Sequence, residues 1–184
     1  MTIRPACAGI AVTVVIASLL AGFSHNNPLV WQREGLAHGQ VWRLLSAHLV
    51  HLSPRHLVMN VLGLWVVTEL LCETLTTAQW MSLLLVCALG TSLLLLLLQP
   101  ELQWYAGLSG VLYGLWSGGA AFRWIGERKI FSLLALLALF ASLQRGTPII
   151  NEFPVIAEAH WYGAFSGLFW LVLARVHERR PVLD

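Results

Sequence analysis

Apolar residues in this chain come in long blocks, with the polar residues gathered between them. A helix that crosses a bilayer needs about 20 mostly apolar residues, fewer where neighbouring protein shields it. Six blocks meet or approach that length: about 6–23, 49–72, 79–98, 108–124, 130–143 and 155–176. The expected fold class is therefore an all-α polytopic membrane protein, a six-transmembrane-helix bundle forming a single domain over residues 1–184.

Six spans put both termini on one face. Arg4, Arg123, Arg128, Lys129, Arg175, Arg179 and Arg180 fall on that face, and Arg33, Arg43, Arg55 and Arg145 on the other. The excess, with the Arg128-Lys129 and Arg179-Arg180 pairs beside span ends, predicts cytoplasmic termini. The first block, with Arg4 before it and Ala21-Gly22-Phe23 at its end, also fits a cleaved signal peptide, which would leave five spans. Its length and poor cleavage site favour a retained span. The first outer loop, Ser24 to Ala47, mixes Trp31 and Trp42 with Arg33 and Arg43, as expected of a segment in the headgroup region.

Composition agrees with a bilayer environment: 58% of residues are hydrophobic and 11% charged, against about 25% charged in soluble domains. The net charge of +2 is too small and scattered to suggest a nucleic-acid partner. Cys7, Cys72 and Cys87 lie in or beside apolar blocks without metal-like spacing and read as packing residues.

Polar side chains at membrane depth are costly unless they have a use. Ser109, in Gly107-Leu108-Ser109-Gly110, opens the fourth span from its outer loop, and His160 lies in the sixth. Gly110, Gly114 and Gly118 recur at four-residue spacing, as do Ala159, Gly163 and Gly167. Small residues at that spacing let two helix backbones approach closely, which would bring Ser109 within hydrogen-bond reach of His160. Tyr113, one turn after Ser109, could stack on the imidazole.

A serine hydroxyl is a weak nucleophile until an adjacent base takes its proton. The sole aspartate is Asp184 at the far C-terminus; Glu152 and Glu158 lie near His160, but Glu158, two residues away, projects differently, so the pattern points to a Ser-His dyad. His56 and Asn60, four apart, share a helix face. With the Ser109 N–H they could hold an oxyanion. Alternatively, such groups only join helices, each contributing about 0.6 to 2 kcal/mol.

The ordered set resembles the rhomboid intramembrane serine proteases: Trp42-Arg43, then His51, His56 and Asn60, then Gly107 to Gly110 with Tyr113, then Ala159-His160 with Gly163 and Gly167, over residues 42–167. The resemblance implies a rhomboid-like bundle with Ser109 as nucleophile and His160 as base and acid. It implies that His56 and Asn60 bind the oxyanion with support from His51, Gly107 and Tyr113, and that no metal or other cofactor takes part. It further implies a cavity opening outward, a gate made by the fifth helix and the loop from Gln144 to Pro154, and transmembrane substrates cut near the top of their span.

Within that family the chain is most similar to the rhombosortases, through its compact six-span form and the run Gly107 to Gly114. That similarity implies a multi-pass protein of the bacterial inner membrane, with its active site towards the external face. Its substrates would be secreted or surface proteins carrying a C-terminal Gly-Gly sorting tail. Other readings are a general rhomboid acting on other single-span proteins, an inactive rhomboid relative that only binds membrane proteins, and a haem protein using His48, His51, His56 and His160. The haem reading leaves Ser109 and Asn60 without a role, inactive relatives usually lack the serine or the histidine, and a zinc protease would need an absent HExxH.

Overall fold

The computed structural model describes residues 3–124, 149–150, 153–154 and 156–178. Among them are seven helices: α1 (Arg4–Ala21), α2 (Arg33–Ala37), α3 (Arg43–Ser46), α4 (Pro54–Leu71), α5 (Thr77–Leu98), α6 (Ser109–Trp124) and α7 (Ala157–Glu178). Two-residue strands β1 (Trp31–Gln32), β2 (Trp104–Tyr105), β3 (Ile149–Ile150) and β4 (Phe153–Pro154) complete the described elements. The mostly helical architecture agrees with the all-α expectation, and long helices lie over five of the six apolar blocks. The fifth block, 130–143, falls outside the described residues, as do Glu152, the Arg128-Lys129 and Arg179-Arg180 pairs, and most of the loop 144–154.

Local signals shift two helix starts. The second apolar block opens at Leu49, but α4 begins only at Pro54, because Ser53 caps it by accepting from the His56 N–H and Pro54 occupies the first turn. His51 therefore lies in an irregular lead-in to the helix. Thr76 and Gln79 form a reciprocal capping box, which starts α5 at Thr77, two residues before the block.

Helix α6 packs against α4, α5 and α7. Its closest partner is α7, and glycine is the reason. A Cβ on Gly110 would lie 2.8 Å from the Ala159 carbonyl oxygen, one on Gly114 2.7 Å from that of Gly163, and one on Gly118 2.6 Å from that of Gly167. In the other direction, a Cβ on Gly163 would collide with the Gly110 backbone, and one on Gly167 with Gly114. Two polar ties reinforce the core: Ser117 Oγ donates to the Ala164 carbonyl at 2.7 Å, and Trp170 Nε1 donates to Ser82 Oγ at 2.9 Å. Helix α1 lies along α4, with Arg4 of the first bridging to Glu69 of the second at 3.0 Å.

The surface inverts the soluble pattern. Ile16, Leu20, Met59, Leu62, Val66, Leu97, Phe169 and Val172 are exposed, whereas His48, His51, Asn60, Thr91, Ser92 and Ser117 are buried. An apolar exterior of this extent requires a partner, and lipid satisfies all its sides. Helices α1 and α5, with mean hydropathy of 1.8 and 2.5, are each long and apolar enough to cross a membrane.

The first outer loop is more tightly integrated than a headgroup segment need be. Strand β1 pairs antiparallel with β2, setting Trp31 opposite Tyr105 and Gln32 opposite Trp104. Arg33 donates to the carbonyls of Leu95, Leu96 and Gln99 at the end of α5, and to that of Leu102. Arg43 is buried and bonds to Gln40 and to the carbonyls of Asn27 and Val30. Trp31 is also fully buried. Of the four residues expected at the headgroups, Trp42 is the exposed one, beside exposed Val41.

Because Gly163 faces backbone, its replacement has no soft side chain to displace. Gly163→Ala should destabilise the protein by about 1 to 3 kcal/mol, and Gly163→Leu by more. Thermal unfolding in detergent checks this; an unchanged midpoint for Gly163→Leu would show that the helices need not touch.

Candidate functional site

The end of α6 nearest β2 gathers the polar side chains singled out by the sequence. Gly107 turns the chain into the helix with φ +128°, a conformation that L side chains rarely adopt. Space requires glycine as well, since a Cβ there would lie 2.6 Å from Cε1 of His56. The turn is fixed through its backbone. The Gly107 N–H donates to the Ala47 carbonyl at 2.9 Å, and the Gly107 carbonyl accepts from the Tyr105 hydroxyl at 2.9 Å.

One residue further, the Leu108 N–H points to Nε2 of His51 at 3.4 Å. Accepting there makes Nδ1 the protonated nitrogen of His51, and Nδ1 stands 3.1 Å from Ser18 Oγ. The Ser18 hydroxyl in turn donates to the Leu49 carbonyl at 3.2 Å. Helix α1 thus contributes to the support of the turn, through one serine.

Ser109 is the first residue of α6, and its Oγ lies 3.0 Å from Nε2 of His160 on α7. With Nε2 unprotonated, the serine hydroxyl donates to it, the arrangement a general base needs. The Tyr113 ring lies almost parallel to the imidazole, with centroids 4.4 Å apart and 12° between planes. That stacking restricts rotation of the base. Glu158 is exposed on α7.

His56 and Asn60 project from one face of α4, with the His56 ring over Gly107 and edge-on to His51 at 4.9 Å between centroids. Asn60 is 4% exposed, and its Nδ2 has no hydrogen-bond partner among the described residues. A buried donor without an acceptor is costly. It is also a donor available to an oxygen brought by a ligand.

Three contributors escaped the sequence reading: Tyr105, Ser18 and the structural use of His48. Nε2 of His48 lies 2.9 Å from the Ala88 carbonyl and 3.0 Å from Ser92 Oγ, and Nδ1 lies 3.2 Å from the Gly107 carbonyl. Burial pushes its pKa down to about 4 against the upward pull of the two carbonyls, leaving it neutral. The sequence signal available was modest: a tyrosine two residues before a loop glycine, and a histidine three before His51.

Residues 38–176, well over half of the chain, match the family model described as Rhomboid domain. No curated protein matches the chain significantly.

The His51 network implies a stability cost independent of any chemistry. His51→Ala leaves the Leu108 N–H buried without its acceptor, and should lower stability by about 1 to 3 kcal/mol. Unfolding in detergent measures it, and a variant as stable as the parent would remove His51 from the support of the turn.

Proposed function

The chain belongs to the rhomboid family, and from that premise we propose that it is an intramembrane serine endopeptidase using Ser109 as nucleophile and His160 as base. Membership makes it an integral membrane protein of a family whose proteases act on transmembrane substrates. The observation that carries the dyad is the 3.0 Å approach of Ser109 Oγ to His160 Nε2, under the stacked ring of Tyr113.

In the proposed reaction His160 Nε2 takes the serine proton as Oγ bonds to the scissile carbonyl carbon. The carbonyl oxygen becomes an oxyanion, held by Asn60 Nδ2, the His56 ring and the Ser109 N–H. The unpartnered state of Asn60 Nδ2 supports this role. Collapse breaks the C–N bond, and the imidazolium returns its proton to the leaving amine. Water, deprotonated by the same nitrogen, then hydrolyses the acyl ester and restores Ser109.

A helical substrate hides its carbonyls in hydrogen bonds, so the cleaved segment must unwind. We propose a C-terminal Gly-Gly sorting tail as the substrate, in the manner of a rhombosortase, because a glycine pair beside an apolar span has little preference for the helix. The run Gly107-Leu108-Ser109-Gly110-Val111-Leu112-Tyr113-Gly114 supports this subgroup. The proposed setting is the bacterial inner membrane, in six spans with cytoplasmic termini and the site towards the external face. Support comes from the seven-to-four division of basic residues and from the gathering of both expected outer loops, through β1 and β2, at the Ser109 end.

A serine-directed fluorophosphonate tests the dyad without a known substrate. Labelling should be lost in both Ser109→Ala and His160→Ala while the proteins stay folded, and full labelling of either would end the proposal. Asn60→Ala should slow cleavage roughly ten- to a thousand-fold, with little loss of stability because Nδ2 gives up no bond; an unchanged rate assigns Asn60 to packing. A membrane-anchored reporter cut equally well after its Gly-Gly pair is replaced by Leu-Leu would favour the general rhomboid reading.

A further inference from the structure

We propose that Tyr105 is a positioning residue for the nucleophile: its hydroxyl fixes the peptide between Gly107 and Leu108, and so directs the Ser109 hydroxyl and N–H. The inference rests on the reading of Ser109 as nucleophile and adds a residue that this reading does not require.

The argument turns on how many donors the Gly107 carbonyl has. Two groups lie within range, Tyr105 Oη at 2.9 Å and His48 Nδ1 at 3.2 Å. A neutral imidazole carries one N–H. At His48 the second nitrogen faces the Ala88 carbonyl at the shorter distance of 2.9 Å. The Ser92 hydroxyl beside it, 3.0 Å from that nitrogen, donates its own proton to the Leu44 carbonyl at 2.7 Å. Both neighbours of Nε2 are thus acceptors, and the ring proton belongs there. Nδ1 is then a bare lone pair, which leaves the Tyr105 hydroxyl as the donor to the Gly107 carbonyl among the described residues.

On the opposite side of the peptide, the Leu108 N–H is held by His51. One peptide unit is gripped at both ends, and Ser109 follows directly. Burial pushes the Tyr105 phenol up to about 12, so it keeps its proton throughout the working range. Strand pairing fixes the ring, since Tyr105 sits opposite Trp31 and both are buried.

The test is fluorophosphonate labelling of the full chain in detergent, comparing the parent with Tyr105→Phe, which keeps the ring and removes only the hydroxyl. The rate constant at saturating probe should fall about ten-fold, with the half-saturating concentration within about two-fold; the midpoint should fall modestly, because the Gly107 carbonyl loses its donor, so the rates are compared well below the variant's own midpoint. Amide exchange at Leu108 should accelerate while α5 stays protected. An unchanged saturating rate overturns the proposal, as does a loss confined to half-saturation. A variant whose labelling falls only where it unfolds, and matches the parent while folded, overturns it in favour of a structural role. A parent labelled at Ser109 with an indifferent Tyr105→Phe refutes this inference alone, whereas an unlabelled parent removes the dyad and the inference together.

Discussion

The contact between the backbones of α6 and α7 governs the geometry of this protein. Hydrocarbon offers little hydrophobic drive for two helices to associate, so close packing and polar ties must hold them. Here the packing is made by absence: where Gly110 and Gly114 meet Gly163 and Gly167, no side chain intervenes. The separation of the two axes is then set by backbone, the least compressible part of either helix. Ser109 and His160 each lie beside one of these stripes, so their 3.0 Å separation follows from it. Serine and histidine side chains are short, and a wider bundle would leave them apart.

Around that contact the loops act as a collar. Arg33 gathers carbonyls at the end of α5 and Arg43 those of Asn27 and Val30, and the β1–β2 ladder ties the first outer loop to the segment entering α6. The lead-in to α4 supplies His48, which donates to α5, and His51, whose ring nitrogens reach the turn after Gly107 and α1. Four parts of the chain therefore converge on one peptide unit. Rigidity there suits the proposed catalytic role, in which the groups must be aligned before a substrate arrives.

How much of this could be read in advance depended on the range of the interaction. The stripes at 110, 114 and 118 and at 159, 163 and 167 were legible because helical spacing fixes which residues share a face, and small residues have few other uses there. The His56 and Asn60 pair was legible for the same reason. The start of α4 was written locally in Ser53-Pro54, but the hydropathy of residues 49 to 52 obscured it. Arg43 and Trp31 were assigned to headgroups by type, while their burial depends on a loop folding back on itself. Tyr105, Ser18 and the tautomer of His48 depend on contacts across 2, 33 and 40 residues, and no periodicity announces a bond made at a turn.

The placement of Ser109 at the very start of α6 bears on the charge a reaction there would create. The peptide dipoles of a 16-residue helix add to a partial positive charge at its first turn, felt most strongly within that turn. Water and salt weaken this field at an exposed helix end, yet Leu108 and Gly110 beside the serine are both buried. An alkoxide or oxyanion formed at this point would meet a favourable potential already present in the resting protein, supplied by the backbone without a charged side chain. In a bilayer, where a permanent cation at such depth would be expensive, a helix terminus provides positive potential that needs neither counter-ion nor proton.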